Sequence, residues 1–178
     1  EVSFKNAPAL LVTLDGQTVT VQSEPIKASL LLRPNLSVSL NEMVVEAHAA
    51  TLTSDAGWSL GFQDAFASIR ADSGQANTYR LGLKITNIAP DAALIAKLAS
   101  TNLPPLVPEV YLDAHASLTA PIDRHVGTSQ PRLTALDITE AHVNWGDLDF
   151  YASGNLEPGK DGLAQGEIAM RVKNWRIM

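Results

Sequence analysis

The chain contains no cysteine. That absence removes a disulfide framework, a thiol nucleophile and every cysteine-based zinc site, while fitting any redox compartment. Basic residues are also few: 13 Lys and Arg stand against 19 Asp and Glu, for a net charge of −6 and a pI of about 5.1. They form no cluster, so the phosphate backbone of a nucleic acid has nothing to dock on, and no nucleic-acid partner is expected. No apolar run approaches the roughly 18 residues of a membrane span. Attachment to a membrane would therefore run through a segment that this chain does not contain. No glycine-rich loop leads into a helix, which excludes a phosphate cradle, and no Gly-x-Ser-x-Gly elbow presents a serine nucleophile.

What is present is alternation. Of 178 residues, 46% are hydrophobic and 18% charged, the balance of a folded chain with a sizeable core. Leu81, Leu83 and Ile85 alternate with Arg80, Lys84 and Thr86, and Leu36, Val38 and Leu40 with Ser37, Ser39 and Asn41. Such period-two patterns predict half-buried strands. The same reading predicts a hairpin about Leu14-Asp15-Gly16-Gln17, strands over 26–32, 43–52, 58–71, 79–88 and 110–116, and three amphipathic strands joined by two tight turns over Leu133 to Trp175. Asp72-Ser73-Gly74-Gln75 reads as a turn, and so do Gly146 and the run Asn155 to Gly162. Leu136 and Ile138 lie in one phase and Val143 and Trp145 in the other, which predicts a bulge near Glu140 to His142. Pro90-Asp91 before Ala92 to Leu98 predicts a short helix whose apolar side needs a sheet to pack on. A loop or second short helix follows Pro121.

These elements predict an α+β fold dominated by antiparallel sheet, of about ten strands at ordinary strand length, with one or two short helices packed on it. A single mainly-β domain over 1–178 is expected. The stretch Leu103 to Pro108 carries three prolines and reads as a stiff connector, which would make 1–102 and 109–178 internal halves. The chain starts at Glu1 and stops at Met178 after a strand-like run, so a trimmed fragment of a longer protein is expected. Residues 58–88 and 145–175 align without a gap, matching Trp58 with Trp145, Ala65 with Ala152 and Asn87 with Asn174. Glu46-Ala47-His48 recurs as Glu140-Ala141-His142. A duplicated three-strand unit and two ordinary meanders of one sheet are both compatible with this.

Candidate chemistry is sparse. The histidines His48, His115, His125 and His142 form no ligand-spaced pair, so no metal site is expected. The Gly-Asp-x-Asp at Gly146 lacks the Asp ladder and closing Glu of a calcium loop. Asp113 and His115 share a strand face and would be half of a catalytic triad with no serine to complete it. Asp123-Arg124-His125 reads as a capped turn. Asp147, Asp149, Glu157 and Glu167 are available as paired acids, as on any solvated sheet face. Trp58, Trp145 and Trp175 either pack or line a groove. Small residues such as Ala47/Ala49, Ala65/Ala67 and Ala152/Gly154 read as one strand face, with long aliphatics on the other, leaving room for an apolar ligand or a covering helix. No catalytic residue, cofactor or ligand-binding residue is assigned.

The run Ala120-Pro-Ile-Asp-Arg124, Pro131-Arg-Leu-Thr-Ala-Leu136, Trp145-Gly-x-Leu148, Ala152-Ser-Gly-x-Leu156 and Gly166-x-Ile-x-Met-x-Val-x-Asn-Trp-Arg176 resembles the alphaproteobacterial domain-of-unknown-function family 2125. The resemblance is carried by Val110 to Arg176, with the first hundred residues alike only in style. It implies an exported or anchored envelope protein with its body in the periplasm. In the style of its meanders the chain is also similar to AsmA-like envelope proteins, whose long sheets form apolar grooves for lipid. The resulting expectation is a non-enzymatic envelope protein offering an apolar groove to a lipid-like ligand. A module that docks other envelope proteins is the alternative, and a hydrolase built on Asp113 and His115 or on paired acids the remote one.

Overall fold

The computed structural model describes residues 2–4, 10–14, 17–24, 26–97, 104–159 and 163–174. Within them the chain forms eleven strands and two short helices. In order these are β1 (Val2–Phe4), β2 (Leu10–Leu14), β3 (Gln17–Gln22), β4 (Ile26–Leu32), β5 (Leu40–Ser54), β6 (Ser59–Ala71) and β7 (Thr78–Pro90). There follow α1 (Ala92–Lys97), β8 (Val107–Leu118), α2 (Val126–Ser129), β9 (Leu133–Trp145), β10 (Leu148–Pro158) and β11 (Ala164–Lys173). All strands belong to one antiparallel sheet with the path β1-β4-β5-β6-β7-β8-β9-β10-β11. The long β5 is shared along its edge: β4 pairs with residues 40–46 and β3, itself paired with β2, with residues 51–54. From β5 onward each strand neighbours its successor, a meander set by the short turns read from the sequence.

Those turns have visible causes. Asp72 Oδ1 accepts the Gly74 and Gln75 amides, folding the chain back between β6 and β7. Trp145 pairs directly with Leu148, leaving a two-residue hairpin with Gly146 at φ +63, a conformation glycine adopts without strain. The expected bulge sits at Thr139–Glu140, just ahead of the predicted place: Asp113 pairs with Glu140 but Ala114 with Ile138. A second irregularity crosses three strands. Ala49 (φ 46) and Asn87 (φ 50) lie on either side of Gln63. Beyond that line burial changes phase, from Val45 and Ala47 to the buried Ala50 and Ser54.

Four expectations are corrected. Leu36, Val38 and Leu40 do not form one strand: residues 33–39 are a loop, and only Leu40 enters β5. Asn35 is the reason, since its side chain binds both the amide and the hydroxyl of Ser39 and Val38 takes φ 49. The turn placed at Asn155 to Gly162 is shorter, because β10 continues to Pro158, which pairs with Ala164. Pro108 is not confined to a connector but lies inside β8, a strand with neighbours on both sides, at the irregular end where Asn87 faces it. Finally, α1 does not cover the sheet. It is tied to the end of β6 by the Asp91 carboxylate, which accepts the Ser59 amide at 2.5 Å, and neither helix packs extensively on a strand among the described residues. The Asp15-Gly16 turn, Leu98, Leu103, Trp175 and the tip at 160–162 lie outside the described residues. The sheet runs without a break past the proline-rich stretch, since β7 and β8 pair.

Candidate functional site

Register decides what each face carries, because side chains alternate along a strand and directly opposed residues share a face. One row runs Val45, Ala67, Leu83, Leu112, Ala141, Ala152, Met170 across seven strands. The row beside it runs Met43, Ile69, Leu81, Ala114, Ile138, Gly154, Ile168. The small residues thus share a face with the long aliphatics and are interspersed among them from strand to strand. This corrects the expected division into a small face and a bulky one.

Among the described residues no strand or helix is packed extensively over that apolar face: the extensive contacts between elements run between neighbouring strands. Most of its side chains, including Leu81, Leu83 and Leu112, are half-buried, whereas Met43 is 39% and Met170 66% exposed. Contiguous apolar surface of this kind in a folded protein marks a place where something else binds. Its two ends are closed. At one, Tyr79, which shares the apolar face with Ala116 and Leu136, is buried, and its hydroxyl accepts the Ile122 amide at 2.7 Å. The loop Thr119–Arg132 is further tied across by Leu40 N–H donating to the Ile122 carbonyl and Arg124 N–H to that of Ser37. At the other end, Val19, Ala50, Ile88 and Val107 are buried.

The opposite face is mainly polar. One row reads Glu42, Arg70, Arg80, His115, Asp137, Asn155, Glu167, and another carries Lys84, Tyr111, His142, Tyr151, Arg171. Arg80 holds Asp113 with two parallel bonds, Nε to Oδ1 at 2.9 Å and Nη2 to Oδ2 at 2.6 Å. The carboxyl of Asp113 is held below its ordinary range by that bonding first, against the opposing effect of its burial. Asp149 is also lowered, chiefly by the Asn144 amide at 2.8 Å, with Lys173 and His142 adding weaker attraction. A shallow depression of about 330 Å³ lies over Gly82, between Arg70, Arg80, Lys84 and Tyr111. Its three cations are already engaged, by Glu42, Asp113 and Glu109 respectively, so it offers an anion no free charge.

The sequence candidates fall on this polar face or at the rims. Asp113 and His115 do share a face, but Arg80 occupies the carboxylate. Opposite His115 stand Arg80 and Asp137. His48 bonds Asp64 at 2.6 Å, and His142 stacks on Tyr151 with ring centres 4.2 Å apart. His142 Nε2 lies 3.8 Å from Asp149 Oδ1, too long for a hydrogen bond. Asp123 caps the turn through the His125 amide, as read from the sequence. Glu157 and Glu167 are diagonal neighbours on β10 and β11, both exposed, while Asp147 sits in the β9–β10 turn. Trp58 and Trp145 anchor two turns, donating to Gln17 Oε1 at 3.2 Å and to the Pro104 carbonyl at 2.7 Å. Among the described residues no three acidic or histidine side chains are grouped to hold a metal ion, and no helix is long and apolar enough to cross a membrane.

Two features escaped the sequence reading. One is the Tyr79–Ile122 latch, which has no local signal. The other is a pair of glycines in the mirror-image extended region, Gly154 (φ +152) on β10 and Gly166 (φ +149) on β11. A Cβ at Gly154 would run into the Glu167 carbonyl oxygen, and one at Gly166 into that of Asn155. Both glycines stand in the motifs Ala-Ser-Gly-x-Leu and Gly-x-Ile-x-Met, a signal from which they could have been found.

An open, single-layer antiparallel sheet with one apolar and one charged face is the class of protein these features define. The family is shown as well: residues 1–178 match the family model described as an uncharacterized protein conserved in bacteria, DUF2125, and the chain belongs to that family over its whole length. No curated protein and no solved structure matches it, so the likeness to AsmA-like proteins has no solved structure behind it.

Proposed function

We propose that the chain is a non-enzymatic protein of the bacterial envelope, lying on the periplasmic side, whose apolar sheet face takes the acyl portion of a lipid-like amphiphile. The observation that carries this reading is the continuous row from Val45 to Met170, apolar on seven successive strands and with no element packed extensively over it among the described residues. Burying one such side chain fully yields roughly 1.5–3 kcal/mol, so an acyl chain laid along the row gains substantially. The closed ends, Tyr79 with Ile122 and the Val19–Ala50 cluster, would limit the length of chain accommodated. The test is native mass spectrometry with lipid extraction of the protein purified from a Gram-negative host. A copurifying amphiphile, lost in Leu83→Asp and Leu112→Asp, supports the proposal; a protein free of amphiphile that also fails to take one from vesicles counts against it.

A second reading, a module that docks other envelope proteins, draws on the exposed aliphatics Leu30, Leu31 and Leu32 at the β4 edge. Crosslinking in the envelope would favour it by yielding one specific protein partner attached through β4. The duplication of a three-strand unit is part of the same proposal. It is supported by Asn87, three residues before the end of β7, and Asn174, just past β11, each at positive φ and each donating its side-chain amide toward the preceding strand, to Gln63 and to the Asp147 carbonyl. The hairpins differ in register, since Ala65 faces Ile85 whereas its counterpart Ala152 faces Met170.

A further inference from the structure

The outer side of β11 has no partner among the described residues, although the strand is ten residues long and nearly all exposed. It contains no proline and no bulge, two of the devices that usually protect a sheet edge. Its charges are also distributed in an ordered way: Glu167 lies in the first half, Arg171 and Lys173 in the second, all on the polar face. Among the described residues neither Glu167 nor Arg171 is paired with an opposite charge. Arg171 lies only over the Tyr151 ring, its guanidinium carbon 4.8 Å from the centroid.

We propose that β11 pairs antiparallel with β11 of a second copy of this chain, about a two-fold axis through Ala169. In that register Glu167 of each copy faces Arg171 of the other, and Gln165 faces Lys173. Ile168 then faces Met170, and Gly166 faces Val172. Registers shifted by a single residue would oppose polar to apolar side chains and are excluded. A shift placing Ile168 on the axis sets Glu167 against Ala169 and pairs no opposite charges. A shift placing Met170 there keeps a Glu167–Lys173 pair but shortens the ladder. The favoured register alone combines nearly full strand length with charge complementarity, as isologous contacts require. Because the axis is perpendicular to the sheet, both apolar faces lie on the same side, and the apolar row of one copy continues into the other. The inference stands whether or not that face binds an amphiphile.

The absence of cysteine makes a clean test possible. Ala169→Cys puts two thiols directly opposite each other, within the Cα separation that a disulfide spans. Mild oxidation of the purified chain is expected to yield a covalent dimer from Ala169→Cys and none from Ser29→Cys on the opposite edge of the sheet. By light scattering the unmodified chain is expected at twice the monomer mass. Arg171→Glu should weaken that dimer about tenfold through two like-charge oppositions, and Glu167→Arg with Arg171→Glu should restore it. A folded chain that stays monomeric, dimerises through Ser29→Cys, or is not rescued by the double exchange overturns the proposal.

Discussion

Arg80 on β7 grips Asp113 on β8 through Nε and Nη2, one strand over and two residues out of direct register, so that the bridge ties two central strands diagonally. Asp113 keeps only 11% of its side chain exposed, whereas Arg80 keeps 61%. The carboxylate is therefore the partner that depends on the pair.

Arg80→Ala should cost about 1–3 kcal/mol at neutral pH, the range for a mostly buried acceptor left without its donor. The pH dependence follows from the direction of the shift. Asp113 is held below its ordinary value, so its contribution is present above the unfolded carboxyl value of about 3.9 and is lost as pH falls through the lower folded value. Without Arg80, burial, which raises the carboxyl, is opposed only by the weaker attraction of His115. Urea titrations at several pH values should show the gap between wild type and variant widest near neutrality and closing below about pH 4.

Gly154→Ala and Gly166→Ala should each destabilise the β10–β11 hairpin by about 1–3 kcal/mol or more, since the backbone there is open only to glycine and the new methyl meets a carbonyl oxygen. Gly127→Ala, with open space around its Cβ position, is the control and should leave the melting temperature nearly unchanged.

Tyr79→Phe keeps the buried ring and removes the hydroxyl that accepts the Ile122 amide. The expected loss is about 1–3 kcal/mol. Hydrogen exchange should speed up at Ile122 and at Leu40, whose amide donates to the Ile122 carbonyl, while Leu112 stays protected.

Much of the architecture was legible because period-two hydrophobicity is a direct consequence of pleating, and β4 to β11 follow it. The slip at Thr139–Glu140 could be read from Ile138 and Val143 falling out of phase. Local polar chemistry defeated the same rule at Leu36 to Leu40, where Asn35 folds the chain on itself before the alternation can pair with anything. Which small residues share a face with which aliphatics was not legible, because it depends on the register of strands far apart in sequence, such as Ala67 beside Leu83. Pairing partners of charged groups were hidden for the same reason: His115 stands two residues from Asp113, yet Arg80, thirty-three residues away, takes the carboxylate. The helix at Ala92 was readable from Pro90-Asp91, but nothing local revealed that Ser59 would hold it at the sheet end.

The most direct measurement compares two adjacent positions of β8 that point to opposite faces. A photoreactive amino acid is placed at Leu112, on the apolar row, or at Tyr111, on the polar one, and the protein is irradiated in the envelope of a Gram-negative host. The account predicts lipid adducts from position 112 and few or none from position 111. Equal labelling at both positions, or protein adducts alone from position 112, would contradict it.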